Sequence, residues 1–312
     1  MAKILVSGSI AYDRIMNFSG LFSEHLMPDK LHTINLSFHV EKMSVEFGGC
    51  AGNVAYSLAL LGEQPVIIAS AGSDFNDYHA HLLRSGVDPA SIHVLQSRLT
   101  ASAYILTDRA DNQIAAFHGG AGDEGYDVPV ETANRSFAII APGCLPDMKA
   151  LPAHYRAHQV PYFFDPSQQL PALSDEALID GITGAAALFA SDYEFELIRR
   201  RLNWHEADIL ERTPVIVVTH GEKGSYVVTK DGSTHVPAHA VKNVVDPTGA
   251  GDAYRAGYLK GSVLELLPVQ CARLGSIAAS FAVEAYGTQN HRFTKEEFTA
   301  RYKKTYGEGI EL

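Results

Sequence analysis

The residues from Asp246 to Asp252 bring glycines and carboxylates together within seven positions. They read Asp246-Pro247-Thr248-Gly249-Ala250-Gly251-Asp252, and a run of small residues follows. If a helix begins in this run, the free N–H groups of Gly249, Ala250 and Gly251 lie at its positive end, which suits a phosphate. Asp252, in the first turn, is placed to hold a hydroxyl aimed at that phosphate. The spacing predicts a phosphoryl-transfer site with Asp252 as the catalytic base. A glycine-rich turn in which Asp252 only caps the helix is the alternative.

A second pattern, nearer the amino terminus, predicts binding of a ligand with several hydroxyl groups. Gly48 and Gly49 lack side chains, so a ligand can lie against their backbone. Asn53 offers a donor and an acceptor, as a vicinal diol requires. Asp13, at the end of the first predicted strand, can accept two hydroxyl hydrogens. The alternatives are a loop carboxylate for Asp13 and a helix N-cap for Asn53.

Both patterns resemble the two signatures of the ribokinase-like (PfkB-type) sugar and nucleoside kinases. The C-terminal signature is similar to Asp246–Asp252 and the N-terminal one to Gly48-Gly49-Cys50-Ala51-Gly52-Asn53, while Gly8–Asp13 resembles the exit of the first strand. The resemblance runs from residue 4 to about residue 290. It implies that Asp13, Gly49 and Asn53 bind the ribose 2′- and 3′-hydroxyls and that the 5′-hydroxyl faces Asp252.

The resemblance also implies ATP and magnesium as cofactors. ATP is expected beside the turn that contains Thr219, Gly221 and Gly224, although a plain hairpin explains the same residues. Ser191-Asp192-Tyr193-Glu194 stands in place of the family's Asn-x-x-Glu motif, so Glu194 is expected to hold magnesium through water. Ser191 departs from the usual asparagine, which puts one nucleotide-side hydrogen bond in doubt.

Potassium is a further ion that the resemblance implies. The segment from Ala282 to Gln289 is similar to the one that, with Asp246 and Thr248, forms a monovalent-cation site. The carbonyl oxygens of three residues would be further ligands: Ala282, Ala285 and Gly287.

The acceptor is expected to be a nucleoside, with adenosine the first candidate by resemblance to the prokaryotic adenosine and nucleoside kinases. Phe117 and His118 supply flat rings that can stack on a base. The first 50 residues show no cluster of Lys or Arg that would bind a phosphosugar. A free sugar such as ribose or fructose is the alternative acceptor, and plain packing is the alternative role for Phe117.

Short apolar runs alternate with helical stretches, which predicts one α/β domain with a mostly parallel sheet between helices. The family resemblance implies a single ribokinase-like three-layer α/β/α domain over residues 1–312. Segments at about 14–47 and 99–118 interrupt the rhythm, and we expect them to form a small β-sheet lid. The expected strands are Lys3–Ser7, Pro65–Ser70, Phe137–Ala141, Val160–Phe164, Ala186–Ala190 and Pro214–Thr219. The expected helices are Asn53–Leu61 and Asn76–Ser85.

Composition narrows the class of protein. The net charge is −11, from 25 basic and 36 acidic residues without a basic cluster, so neither nucleic acid nor a membrane is an expected partner. Three scattered cysteines fit reduced thiols in the cytoplasm. Exposed edges of the lid predict a homodimer through it. A non-catalytic nucleoside sensor on the same fold is the alternative from another class of protein. An NAD enzyme is not favoured, because it would need a glycine fingerprint directly after Lys3–Ser7 and the sequence has none there.

Overall fold

Eight strands form one large sheet, as the alternation of apolar runs and helices predicts. The computed structural model describes residues 3–33, 35–110, 112–126, 130 and 136–312. In the order in which they lie side by side, the strands are β14 (Gly232–Val236), β13 (Ser225–Thr229), β12 (Ile216–Thr219), β11 (Ala187–Ser191), β10 (Tyr162–Phe164), β9 (Ser136–Ile140), β1 (Lys3–Ser7) and β4 (Pro65–Ile68). The six from β12 to β4 are parallel, and β13 and β14 are antiparallel.

Helices cover both faces of this sheet. Alternate residues of β1 point into different layers: Ile4 and Val6 pack in one core cluster and Leu5 in the other. The helices of the described residues are α1 (Cys50–Leu60), α2 (Asn76–Arg84), α3 (Leu145–Ala157), α4 (Asp175–Ile182), α5 (Asp192–Leu202), α6 (Glu206–Leu210), α7 (Ala250–Val263), α8 (Pro268–Ala282) and α9 (Lys295–Tyr306). Side chains of α1 and α7 pack with Ile4, and side chains of α3 and α4 pack with Leu5.

Four further strands form a smaller sheet, called the small sheet below. They are β3 (Lys42–Gly48), β2 (Ala11–Asn17), β7 (Ala101–Thr107) and β8 (Gln113–His118), in that spatial order. Each outer pair is an antiparallel hairpin, and β2 and β7 join the two pairs in parallel. The two interrupted segments therefore meet in one sheet. Residue 34 in the first and Asp111 in the second lie outside the described residues.

Two runs of the sequence differ in the structure from the strand that their residue patterns favour. Pro65–Ser70 splits, because β5 (Ser70–Gly72) leaves the large sheet to pair with β6 (His93–Leu95). The alternating run Asn35–Val40 forms no strand. Its Phe38 instead packs edge-on against Phe18 and Phe22, with ring centroids 4.9 and 5.4 Å away. Burial of the aromatic ring thus takes the place of a strand ladder.

No helix in the described ranges has both the length and the apolar character needed to cross a membrane.

Candidate active site

A cavity of about 750 Å³ lies where the carboxyl ends of β1, β9 and β10 meet the small sheet. The chain leaves β1 for β4 on one side and returns to β9 on the other, so the strand order reverses between β1 and β9. Ligands of open α/β sheets bind in the crevice at such a reversal. Asp13, Asn53, Gly249 and Asp252 all line this cavity, so the fold brings the two sequence patterns together.

The glycine-rich segment turns into α7 as its composition predicts. Gly249 has φ +77° and precedes the first helical residue, Ala250, a backbone conformation that favours glycine. The first N–H groups of α7 have no carbonyl within the helix to bind. Asp252 lies in this first turn, partly open to the cavity. Donors for an anion and a carboxylate therefore occupy one helix end.

Asp252 is held by Asn53. Asn53 Nδ2 donates a 2.8 Å hydrogen bond to Asp252 Oδ2. Burial raises the pKa of Asp252 from 3.8 to about 6, although the bond from Asn53 and the charge of Arg255 oppose the rise. Such a carboxyl group is ionised at neutral pH and can accept a proton from a hydroxyl.

The carbonyl oxygen of Asn53 is already used within the protein. It accepts hydrogen bonds from Thr288 Oγ1 at 2.8 Å and Gln289 Nε2 at 2.9 Å. Asn53 is only 5% exposed. The sequence-based expectation that Asn53 offers both a donor and an acceptor to a diol therefore needs correction, since the acceptor oxygen is occupied and one of the two N–H donors is bonded to Asp252.

Asp13 is the carboxylate that faces the cavity from the small sheet. It pairs with Glu46 on β3 and with Ala103 on β7. Burial, together with the charges of Glu46 and Asp246, raises the pKa of Asp13 from 3.8 to about 6. A bound ligand with hydroxyl donors would offset this accumulation of negative charge.

The two glycines of the N-terminal pattern make room for protein atoms. A Cβ at Gly48 would lie 2.6 Å from Asp13 Oδ2, and a Cβ at Gly49 would lie 2.5 Å from the backbone oxygen of Ser9. Gly49 lines the cavity, whereas Gly48 is buried beside Asp13. The lack of side chains at Gly48 and Gly49 therefore leaves room for Asp13 and for the backbone after β1, and not only for a ligand.

The structure separates Phe117 from His118. Ala103 pairs with Phe117 and Ser102 with His118, so Phe117 shares a face with Asp13 and His118 is on the opposite face. Phe117 lines the cavity and is 66% exposed. The expectation that His118 contacts a base in this cavity is therefore wrong in this structure, because successive strand residues point in opposite directions.

Comparisons with known proteins agree with this geometry. Residues 1–295 match the pfkB family carbohydrate kinases. The chain belongs to this family. A nucleoside kinase of Methanocaldococcus jannaschii is 32% identical over 307 residues, which are 97% of this chain and 98% of that protein. The structure of Burkholderia thailandensis nucleoside kinase in complex with inosine is 34% identical, has a TM-score of 0.83, and matches over 99% of this chain and 100% of that one. The same enzyme in complex with ADP-inosine is 36% identical with a TM-score of 0.80, over 99% and 98% of the two chains. The expected ribokinase-like fold is thereby confirmed.

In this pfkB family chain, the residues expected near the nucleotide lie at the ends of β11 and β12. Ser191 and Thr219 are direct neighbours across the two strands. Gly221 has φ +56° and is exposed, so its backbone is free to approach a ligand. Gly224 is buried, and a Cβ there would meet backbone atoms of Val236 and Ala238. Its absence of a side chain is therefore explained by packing of the hairpin.

Ser191 and Glu194 form a capping box at the start of α5. Ser191 Oγ accepts from Glu194 N at 3.3 Å, and Glu194 Oε2 accepts from Ser191 N at 2.7 Å. Glu194 Oε1 accepts from Ser167 Oγ at 3.2 Å. The Ser-x-x-Glu spacing is itself a helix-start pattern, so capping alone accounts for both residues. The carboxylate oxygens retain further lone pairs, so contact with a hydrated magnesium ion is compatible with the capping role.

No three His, Cys, Asp or Glu side chains of the described residues form a metal cluster. A single carboxylate such as Glu194 fits an ion held mainly by phosphates and water, as magnesium is in phosphoryl transfer. At the expected potassium site, Asp246 accepts hydrogen bonds from Thr248 N at 2.9 Å and Gly287 N at 3.0 Å. The carbonyl of Ala282 accepts from Ala285 N at 3.2 Å. The segment is thus fixed against the loop before α7.

Two groups of functional interest escaped the sequence analysis. One is the pair of side chains on Thr288 and Gln289, which orient Asn53. The other is a buried ion pair between Asp165 and Arg255. A sequence signal for the second exists, because Arg255 is a charged residue in a run of small residues three positions after Asp252.

Proposed function

We propose that this chain transfers the terminal phosphoryl group of ATP to the 5′-hydroxyl of a nucleoside, with adenosine the first candidate. The observation that carries the proposal is the placement of Asp252 in the first turn of α7, within one cavity that also contains Asp13 and Phe117. Asp252 accepts the hydroxyl proton, and the N–H groups of Gly249, Ala250 and Gly251 stabilise the charge on the transferred group. The inosine complex of the related B. thailandensis enzyme supports a purine nucleoside.

Each end of the acceptor has a role in this proposal. Asp13 binds the ribose hydroxyls, and Phe117 stacks on the base. Thr219, Gly221 and Ser191 lie on the nucleotide side, and the ADP-inosine complex of the related enzyme supports ATP as the donor. Magnesium, held by the ATP phosphates and through water by Glu194, would supply positive charge to the phosphates. Potassium would lie at Asp246 and Thr248, with the carbonyls of 282, 285 and 287.

The test is the formation of ADP and of a nucleoside 5′-monophosphate with a panel of acceptors. We expect turnover with adenosine and inosine and little with ribose or fructose. Efficient phosphorylation of ribose would favour the sugar-kinase alternative. Binding of adenosine without turnover of any acceptor would favour the sensor.

We also propose that a second copy of the chain covers the outer face of the small sheet, the face opposite Asp13. Two cross-strand rows on this face expose large apolar side chains, namely Met43, Val45, Tyr104 and Ile114. The edges at β3 and β8 are open to another copy. Light scattering should show a dimer that Tyr104→Lys dissociates. A monomeric wild type at micromolar concentration would contradict this.

We further propose a cytoplasmic location, since the three unpaired cysteines suit a cytoplasmic enzyme.

A further inference from the structure

Asp165 and Arg255 form an ion pair that the proposed reaction does not yet use. Arg255 Nη2 donates to Asp165 Oδ1 at 2.8 Å, and its Nε lies beside Oδ2. Arg255 is 5% exposed and Asp165 is 1% exposed. Charges are rarely buried so completely unless each has a partner. The groups that lie next to the pair therefore indicate what it does.

The guanidinium of Arg255 lies beside the first turn of α7. Arg255 is four residues after Gly251 and three after Asp252, so it shares a helix face with them and its side chain extends towards the helix start. A Cβ at Gly251 would be 2.7 Å from Arg255 Nη1. Within the described part of the chain, Nη1 donates no hydrogen bond. A cation at the positive end of a helix is unfavourable by itself and becomes favourable when an anion binds there.

Four groups with charge or a titratable proton lie around Asp252 on four elements. They are Arg255 on α7, Asp165 after β10, the thiol of Cys50 on α1 and the hydroxyl of Tyr78 on α2. Glu194 on α5 acts on Asp165 and Arg255 in turn. Arg255 lowers the pKa of Asp252 more than Asp165 raises it. The pair therefore favours the ionised carboxylate.

We propose that Arg255, held by Asp165, is a positioning residue that keeps Asp252 ionised and keeps the start of α7 positive for the transferred phosphoryl group. This inference rests on the proposed kinase function.

The two partners act on Asp252 with opposite signs, so variants at each should move its titration in opposite directions. In Arg255→Met, Asp165 loses its counter-charge and takes up a proton, so only the loss of the stronger group remains and the pKa of Asp252 rises. In Asp165→Asn, Arg255 is left unopposed and the pKa of Asp252 falls. Arg255→Lys retains a charge and should titrate close to wild type.

The readout is carbon-13 NMR of the Asp252 side-chain carboxyl in the full chain without substrate. We expect the midpoint to move up by about one pH unit in Arg255→Met, so that kcat/KM at pH 5 falls about tenfold on the acid limb. Unchanged Asp252 midpoints in all three variants, together with lower thermal stability, would show a merely structural pair and overturn the inference. If Arg255→Met does not fold, the downward shift in Asp165→Asn decides. The titration needs no acceptor, so it remains informative even if the wild type phosphorylates nothing and the proposed function fails.

Discussion

Asn53 and Asp252 are joined by a 2.8 Å hydrogen bond between side chains 199 residues apart in the chain. The bond has a direction, because Thr288 and Gln289 occupy the carbonyl oxygen of Asn53 and leave its N–H₂ group to Asp252. A donor stabilises a carboxylate and not its protonated form. Asn53 therefore helps Asp252 to stay ionised although partial burial raises its pKa.

Replacing Asp252 by Asn should remove turnover and spare acceptor binding. The amide keeps the shape of the carboxylate but cannot take the hydroxyl proton, a loss of about 10²–10⁴ in kcat. Steady-state kinetics gives the rate, and calorimetry with adenosine gives the affinity. Glu296→Gln is a matched control, since Glu296 is a first-turn carboxylate of α9 that does not line the cavity. A near-normal kcat in Asp252→Asn would refute the role of base.

The same substitution should stabilise the fold at neutral pH. The pKa of Asp252 is raised by burial from 3.8 to about 6, so the native state retains a proton that the unfolded chain has lost. Stability therefore falls as pH rises from about 4 to 6, and the cost is fully present above pH 6. Asp252→Asn should raise the free energy of unfolding at pH 7 by at most about 3 kcal/mol, with little effect at pH 4. Urea denaturation at both pH values measures the difference; an equal gain at pH 4 would argue against an ionisation effect.

Asp13 should control discrimination between ribose and deoxyribose. Its carboxylate lines the cavity, where it can accept hydrogen bonds from hydroxyls, whereas the oxygen of Asn53 is occupied. Loss of a 2′- or 3′-hydroxyl leaves Asp13 partly unpaired in the wild type, at a cost of about 1–3 kcal/mol. We expect adenosine to be preferred over 2′-deoxyadenosine, and Asp13→Ala to remove most of that preference.

The matched variant is Asn53→Ala, which should lower kcat and keep the preference for ribose. The ratio of kcat/KM for the two acceptors separates the roles. Equal kcat/KM for adenosine and 2′-deoxyadenosine in the wild type would contradict the assignment of Asp13.

The sequence predicts the six parallel strands of the large sheet well because each is a contiguous apolar run between turns. Lys3–Ser7 agrees residue for residue with β1. The partners of Asn53 could not be predicted in this way, since Thr288 and Gln289 are 235 and 236 residues away and only the fold brings them near. The orientation of His118 was within reach of the sequence, because the alternation of a strand already assigns it and Phe117 to opposite faces. The resemblance to known kinases concerns the type of side chain at position 118 and does not specify the face of the strand on which it lies.

Phe117 should influence the choice of acceptor. Phe117 lines the cavity on the same face as Asp13 and is exposed enough to meet a ligand. If it stacks on a purine, Phe117→Ala should weaken adenosine binding by about 0.5–1.5 kcal/mol beyond lost burial. Ribose presents no aromatic face, so its phosphorylation should change less. The Phe117 ring should also help to exclude water from the cavity, so we expect the variant to hydrolyse more ATP per nucleoside phosphorylated.

His118→Ala is the matched control, because the neighbouring ring lies on the opposite face of the same strand. It should leave adenosine kinetics close to wild type. The comparison uses adenosine and ribose at saturating ATP for all three proteins. Equal losses for both acceptors in Phe117→Ala would make Phe117 a packing residue of the small sheet. A wild type that prefers ribose would overturn the nucleoside assignment itself.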